Sequence, residues 1–395
     1  MKRAESDEHK YDAAIAGAGP AGSSLAIRLA MAGLKVVLVE QKEFPREKLC
    51  GEFISPECLI HFDDLGVSAD ISAAGATKLA ETIFFGRHGK GVSVKSEWFG
   101  SPESVALGLS RAEMDDQLLA RAQAVGVDVL EETKAIGLGH ERNIVIGIKV
   151  KGSDRIERQV IAGISVDATG RSQSLTRRLD SAGPRRTAAT HVAFKTHLTG
   201  ATLEAGACEI YAYRGGYGGC NRVEGDLYNL CFIAAAEDAK RLGSDPVRVM
   251  REVVFSNTRA AEAMASARVA KPWLAVPIER FGRGDLVPAR GLISVGDAAA
   301  FIDPFTGSGM LMALESAKIA AKAIIENHPD LQQIAKMYHQ HYAAAFDRRL
   351  RVCSMLRHAA FVPFLAEATI SLLATSTSLR RRVARLTRFS EGTGV

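Results

Sequence analysis

The sequence predicts an α/β protein in which a Rossmann-like nucleotide-binding domain is interleaved with a β-sheet substrate domain and followed by C-terminal helices. Three observations carry this prediction. A glycine loop, Gly17, Gly19 and Gly22, stands between the apolar run DAAIA (12–16) and a helix-like stretch. The β-branched run KVVLVE (35–40) then closes on an acid, completing strand, helix and strand within about 30 residues. Two later apolar runs also end in acid and glycine, VDATG at 166–170 and SVGDA at 294–298.

Composition sets the limits on function. A chain of 395 residues with 47% hydrophobic and 24% charged content is globular and large enough for a main core and a second lobe. The polar start MKRAESDEHK lacks the apolar core of a secretory signal, and no uninterrupted apolar run reaches the roughly 18 residues of a spanning helix, so a cytoplasmic location is expected. The cysteines at 50, 58, 208, 220, 231 and 353 form no CxxC pair, which argues against a zinc site or a disulfide framework. Charge is uneven. Of the net +5, residues 331–395 hold +7, leaving −2 over the first 330. In that tail AAFVPFLAEATISLLA (359–374) precedes LRRRVARLTR (379–388), a basic stretch able to form an amphipathic helix. It packs on the body or meets a membrane surface or lipid substrate; no recognition motif or interleaved aromatics point to nucleic acid.

The elements follow in order. Gly17, Gly19 and Gly22 suit a tight turn, a close backbone approach to a pyrophosphate and close helix-to-strand packing, with Pro20 and Ala21 opening the helix. Glu40 ends the second strand where it can accept hydrogen bonds from ribose hydroxyls, with Gln41 beside it. EFPREKLCGEFISPECL (43–59) is a charged, proline-bearing loop leading into a helix. LSRAEMDDQLLARAQAVGVDVLEE (109–132) opens with a capping box, Ser110 and Glu113, and predicts a helix and then a strand. Arg111 at its first helical position is either a surface arginine or one projected toward a cofactor. Residues 141–163 alternate around a tight turn at 152–154 and predict a β-meander. From about 180 to 285 the glycine-rich RGGYGG, the strand-like LYNLCFIAAA and the helical DPVRVMREVVF carry no nucleotide signature and belong to a sheet-based substrate lobe.

This order of motifs resembles the flavin-dependent oxidoreductases of the aromatic-hydroxylase monooxygenase and geranylgeranyl-reductase superfamily, shared in part with flavin halogenases. The resemblance implies a glutathione-reductase-type FAD fold. It implies an FAD-binding domain assembled from 1–80, 105–178 and 285–330, a substrate domain from 81–104 and 179–284, and a helical segment at 331–395. It places FAD pyrophosphate on Gly17 to Gly22, adenosine ribose on Glu40, and Arg111 close to the FAD. "VDATGRSQS" matches the second acid-and-glycine motif; its Asp-Ala-Thr-Gly is closer to the reductase and halogenase side, and a nicotinamide role for Asp167 stays open. "GDAAAFIDPFTGSGM" is the strongest match. There Gly296 and Asp297 are implied at the ribityl chain, and the loop through Pro304, Phe305, Thr306, Gly307, Ser308 and Gly309 at the isoalloxazine. "EKLCGEFISPE" resembles the Cys-Gly segment that lies near the ring in reductase-like members, which makes Cys50 either a flavin neighbour with a redox or substrate role or a small packing thiol. Cys58, eight residues on, is too far for the paired cysteines of flavin disulfide reductases.

Three outcomes compete at the flavin. The first expectation is an NAD(P)H-driven monooxygenase acting on a hydrophobic polyketide, phenolic or lipid-like substrate. The alternative is a reductase saturating isoprenoid or conjugated double bonds. A non-catalytic flavoprotein scaffold is the third. Halogenation is not expected, because the Trp-x-Trp-x-Ile-Pro segment is missing. NADPH or NADH is the expected electron donor. Tyr211, Tyr213, Tyr217, His191 and His197 are candidates to line the substrate pocket, and no catalytic acid or base is assigned.

Overall fold

In the computed structural model of the protein, the described residues are 10–99, 105–179, 189–278, 282–301, 307–361 and 372–386. Two large sheets face each other across a cavity. In the first sheet, strands Asp128–Leu130, Val36–Val39, Lys10–Ala16, Glu157–Asp167 and Leu292–Ser294 run parallel in that spatial order. The strand Glu157–Asp167 is long enough to serve two partners along one edge. Its second half pairs with Leu292–Ser294, while its first half pairs antiparallel with Ile144–Lys151, which continues to Lys134–Glu141. Those three strands are the meander expected from the alternation at 141–163. Val36–Val39 is buried at every position, as strands covered on both faces require.

Helix Pro20–Met31 covers one face. Proline at its first turn suits a helix start, because the missing N–H would have had no partner there. Gly22 is explained by contact: a Cβ at that position would lie 1.8 Å from the Gly17 carbonyl oxygen. Helix Arg111–Ala124 begins at Ser110, whose hydroxyl accepts from the Glu113 amide at 3.2 Å, and helix Gly309–Asn327 packs beside Pro20–Met31. Leu25, Ile27, Met114, Leu118 and Leu311 belong to the core between these helices and the sheet.

Among the described residues the second sheet has eight strands. Its order is Arg268–Val269, His191–Thr199, Tyr228–Ala235, Gly216–Arg222, Ala207–Tyr213, Glu81–Phe85 and Gly91–Lys95, with Leu274–Ile278 also on His191–Thr199. One face packs on three short helices, Ala236–Arg241, Pro246–Glu252 and Thr258–Ala263, around Phe194, Tyr211, Tyr213 and Phe232. The other face lines the cavity. A third sheet, Phe53–Ile54, Ala106–Gly108 and Thr77–Leu79, joins the two lobes. The tail begins with the 31-residue helix Leu331–Phe361 and ends in the described helix Thr377–Leu386. Among the described residues no helix is long and apolar enough to cross a membrane.

Candidate active site

The cavity between the sheets has a volume of about 1490 Å³. Single small-molecule sites usually measure about 300–1,000 Å³, so this one has room for a large cofactor together with a substrate. Two helix N-termini open into it. Pro20–Met31 and Gly309–Asn327 each start without a side-chain cap, which leaves first-turn amides as free donors on the cavity wall. Between them the chain turns at Gly296, where a Cβ would come within 2.8 Å of the Ala21 side chain. The late turn can be threaded between the two helix starts only without a side chain at 296.

Most of the residues expected from sequence meet here. Gly17, Gly19, Pro20, Ala21, Glu40, Gln41, Cys50, Arg111, Gly296, Asp297, Gly307 and Gly309 all line the cavity. Glu40 is buried, accepts from the Ala18 amide at 3.1 Å and the Lys42 amide at 3.1 Å, and has the Arg46 guanidinium at 3.4 Å. Arg111 is not a surface arginine. Its Nε and Nη2 donate to Asp115 at 2.8 and 2.7 Å, and Arg46 reaches the same carboxylate at 3.1 Å. Burial works against the Arg111 charge, but the Asp115 carboxylate outweighs it and holds the guanidinium protonated. Asp297 is half-buried on the cavity wall. Burial pushes its carboxyl pKa up, only partly offset by Arg171, Arg111 and Lys48. Lys48 is pushed down by burial first and then by the charges of Arg111 and Arg46.

Several residues are placed otherwise. Asp167 does not line the cavity: its carboxylate accepts from the Thr169 amide and hydroxyl, the Leu175 amide, and the Thr176 amide and hydroxyl, at 2.6–3.2 Å. With five donors satisfied it shapes the loop that carries Ala168 to Arg171 to the cavity. Gly22 serves helix packing and Ser308 is buried behind the wall. Pro304, Phe305 and Thr306 lie outside the described residues. Cys50 is half-buried on the cavity wall near Arg111 and also packs against the main core. Tyr211 and Tyr213 point to the opposite face of their sheet, since alternate residues of a strand face opposite ways. Tyr217 does line the cavity, and His191 sits half-buried at a strand start beside Thr190.

One cluster joins Glu47 and Glu52 of the EKLCGE segment and the pocket candidate His197 to Lys195, a grouping that no sequence motif indicated. Glu52, on the loop after Cys50, accepts from Lys195 Nζ at 2.7 Å and from the Arg111 amide at 2.9 Å, and its other oxygen is 2.6 Å from His197 Nε2. Lys195 also donates to Glu47 at 2.7 Å, and Glu47 accepts from Lys271 at 2.6 Å. Glu47, Glu52 and His197 present ligand atoms within 4.8 Å of one another, but the cation between the two carboxylates is the Lys195 ammonium. The signal in sequence was only a pair of acids five apart, which nothing linked to a lysine 143 positions away.

Residues 10–340 match the model of the family described as FAD binding domain. The chain belongs to that family. It is an FAD-dependent oxidoreductase by membership, and the free amides, the buried acid Glu40 and the threaded glycine turn fit an extended dinucleotide. This FAD-binding chain is 27% identical over 328 residues to a digeranylgeranylglycerophospholipid reductase of Methanosarcina mazei, covering 80% of this chain and 75% of that one. It is 25% identical over 380 residues to a menaquinone reductase of Mycolicibacterium smegmatis, covering 88% and 85%. Among solved structures, a flavin-dependent brominase superposes with a TM-score of 0.80 at 21% identity, over 96% of this chain and 93% of that one. That likeness concerns the fold.

Proposed function

We propose that this oxidoreductase saturates carbon–carbon double bonds of a long, apolar, isoprenoid-type substrate, with NADPH or NADH as the source of electrons. The observation that carries the proposal is the far arm of the cavity. Beyond the helix starts it is lined by Phe84, Val94 and Ile210 of the second sheet and by Leu373, Arg380, Val383 and Ala384 of the C-terminal segment. A narrow aromatic substrate has no use for such an arm, whereas an extended chain fills it. The reductase names of the two curated relatives support the same choice.

In this reading Glu40 and Gln41 hold the adenosine end of FAD, and the amides of Gly19 and Ala21 hold the pyrophosphate. Arg111 and Asp297 flank the ribityl chain. Gly307, Gly309 and the helix start behind them stand at the ring, where free N–H donors stabilise negative charge by about 0.3–2 kcal/mol. When bound, FAD supplies hydride transfer. The apolar arm excludes water and aligns the substrate along the sheet.

The test is anaerobic. The photoreduced holoenzyme is mixed with a geranylgeranyl lipid or a polyprenyl quinone, and flavin absorbance and product mass are followed. Reoxidation without oxygen, with a product gaining two hydrogens, is the expected result. Reoxidation only by oxygen, with a product gaining an oxygen atom, would assign the hydroxylation that the sequence placed first. Mixing oxidised enzyme with NADPH or NADH identifies the donor, and rapid bleaching by either excludes a scaffold without turnover.

A further inference from the structure

The loop Glu47–Glu52 carries Lys48, Leu49, Cys50 and Gly51 along the cavity wall. Both of its ends are held by one side chain from the other lobe: Lys195 Nζ lies 2.7 Å from Glu47 and 2.7 Å from Glu52. Two further grips come from the same sheet, because Asn221 Nδ2 donates to the Glu52 carbonyl at 3.3 Å and Asn229 Nδ2 donates to the Cys50 carbonyl at 3.2 Å. Glu52 is also tied to the cofactor side, through the Arg111 amide at the start of helix Arg111–Ala124. Its φ of 52° lies in the left-handed region, which an ordinary side chain adopts only when its surroundings impose it.

The Lys195 and His197 side chains are each 1% exposed and that of Glu52 is 0% exposed, although the cavity beside them is open. Lys195 and His197 do not line the cavity, so any effect of theirs on the reaction passes through the loop. We propose that Lys195, with Glu52, Glu47 and His197, is a positioning device that fixes the Cys50 wall and the Arg111 helix start relative to the substrate sheet. A neutral hydrogen-bonded loop could drift, whereas the buried Glu52 carboxylate and the buried Lys195 ammonium cannot part without leaving a charge uncompensated, and the more exposed Glu47 carboxylate holds the other end of the loop to the same ammonium. The device therefore makes the cofactor cradle and the substrate sheet one rigid frame. This holds whichever reaction the flavin performs.

The test uses the FAD-loaded full chain and no substrate, so its failure is separate from any failure of the reductase assignment. Lys195→Met, Glu47→Gln and, as control, Arg259→Met are compared with wild type. Arg259 pairs with the buried Glu209 and faces neither the cavity nor the loop, so it matches the loss of an ion pair without touching the device. Three readouts are taken at a temperature where all are folded by circular dichroism: amide exchange of the peptide spanning 47–53, the visible spectrum of bound FAD, and FAD affinity. Lys195→Met is expected to speed exchange in that peptide about tenfold or more, shift the flavin bands and weaken FAD binding severalfold. Glu47→Gln, which keeps the Glu52 grip, should show the same changes to a smaller extent and remains informative if Lys195→Met does not fold. Arg259→Met should show none of them. Wild-type exchange and spectrum in Glu47→Gln, or equal changes in Arg259→Met, would overturn the proposal.

Discussion

Asp297 is a residue at which folding and the proposed cofactor binding make opposite demands. Its folded pKa is raised by burial, so the folded protein holds that proton more tightly than the unfolded chain does. The stability linked to it is present at low pH and is lost as pH rises through the raised value. Asp297→Asn should therefore raise the melting temperature of the FAD-free protein at neutral pH, leave it nearly unchanged below the usual carboxylate range, and weaken FAD binding. Calorimetry of the FAD-free protein across pH checks this; a lower melting temperature at neutral pH would contradict it. Glu47 behaves oppositely. Burial alone would raise its pKa, but hydrogen bonds from Lys195 and Lys271 lower it to about 2. Its contribution is complete above the ordinary carboxylate pKa and disappears as pH falls toward about 2. At Gly22 the constraint is steric. Gly22→Ala sets a Cβ against the Gly17 carbonyl, and overpacking of this kind costs about 1–3 kcal/mol. Reduced FAD content in the purified variant, with a lower urea midpoint, is the expected result.

At the scale of elements, local chemistry was legible wherever a turn or cap has its own residue signature. Ser110 and Glu113 marked the start of Arg111–Ala124, and the Ser110 hydroxyl does cap it. Ser110→Ala should cost about 1 kcal/mol, measured by urea unfolding. The strand that carries Tyr211, Ala207–Tyr213, had no such signature, and neither its existence nor its facing was legible in the sequence. Both faces of its sheet are covered, one by helices and one by the cavity wall, so alternation of apolar and polar residues did not distinguish them. The C-terminal basic helix was expected from 379–388, and the described helix spans Thr377–Leu386. Val383 and Ala384 on it face the cavity, while Arg381 and Arg382 are exposed.

That arrangement matters for the molecule as a whole. Val383, Ala384 and Arg380 line the cavity while Arg381 and Arg382 are exposed, and under the proposed reductase function those exposed arginines would meet an anionic lipid surface. Truncation after residue 371 should lower activity on a long-chain substrate more than on a short analogue. Equal loss on both would show that the helix serves stability alone. Cosedimentation with phosphatidylglycerol vesicles should fall on replacing Arg381 and Arg382 by Gln, and an unchanged bound fraction would count against a membrane role.

The sequence by itself determined the nucleotide-binding start, the meander, the capped helix and the late glycine turn. Each depends on contacts between residues near one another in the chain, and each leaves a pattern of spacing, caps or glycines. Only the tertiary structure decided that Asp167 folds a loop instead of facing the cavity, that Arg111 is pinned by Asp115 and Arg46, and that Lys195 grips Glu47 and Glu52. Such pairs form between lobes that meet only after both sheets have folded. A buried ion pair is specified by where two backbones converge, and a charged residue carries no local mark of the partner it will meet.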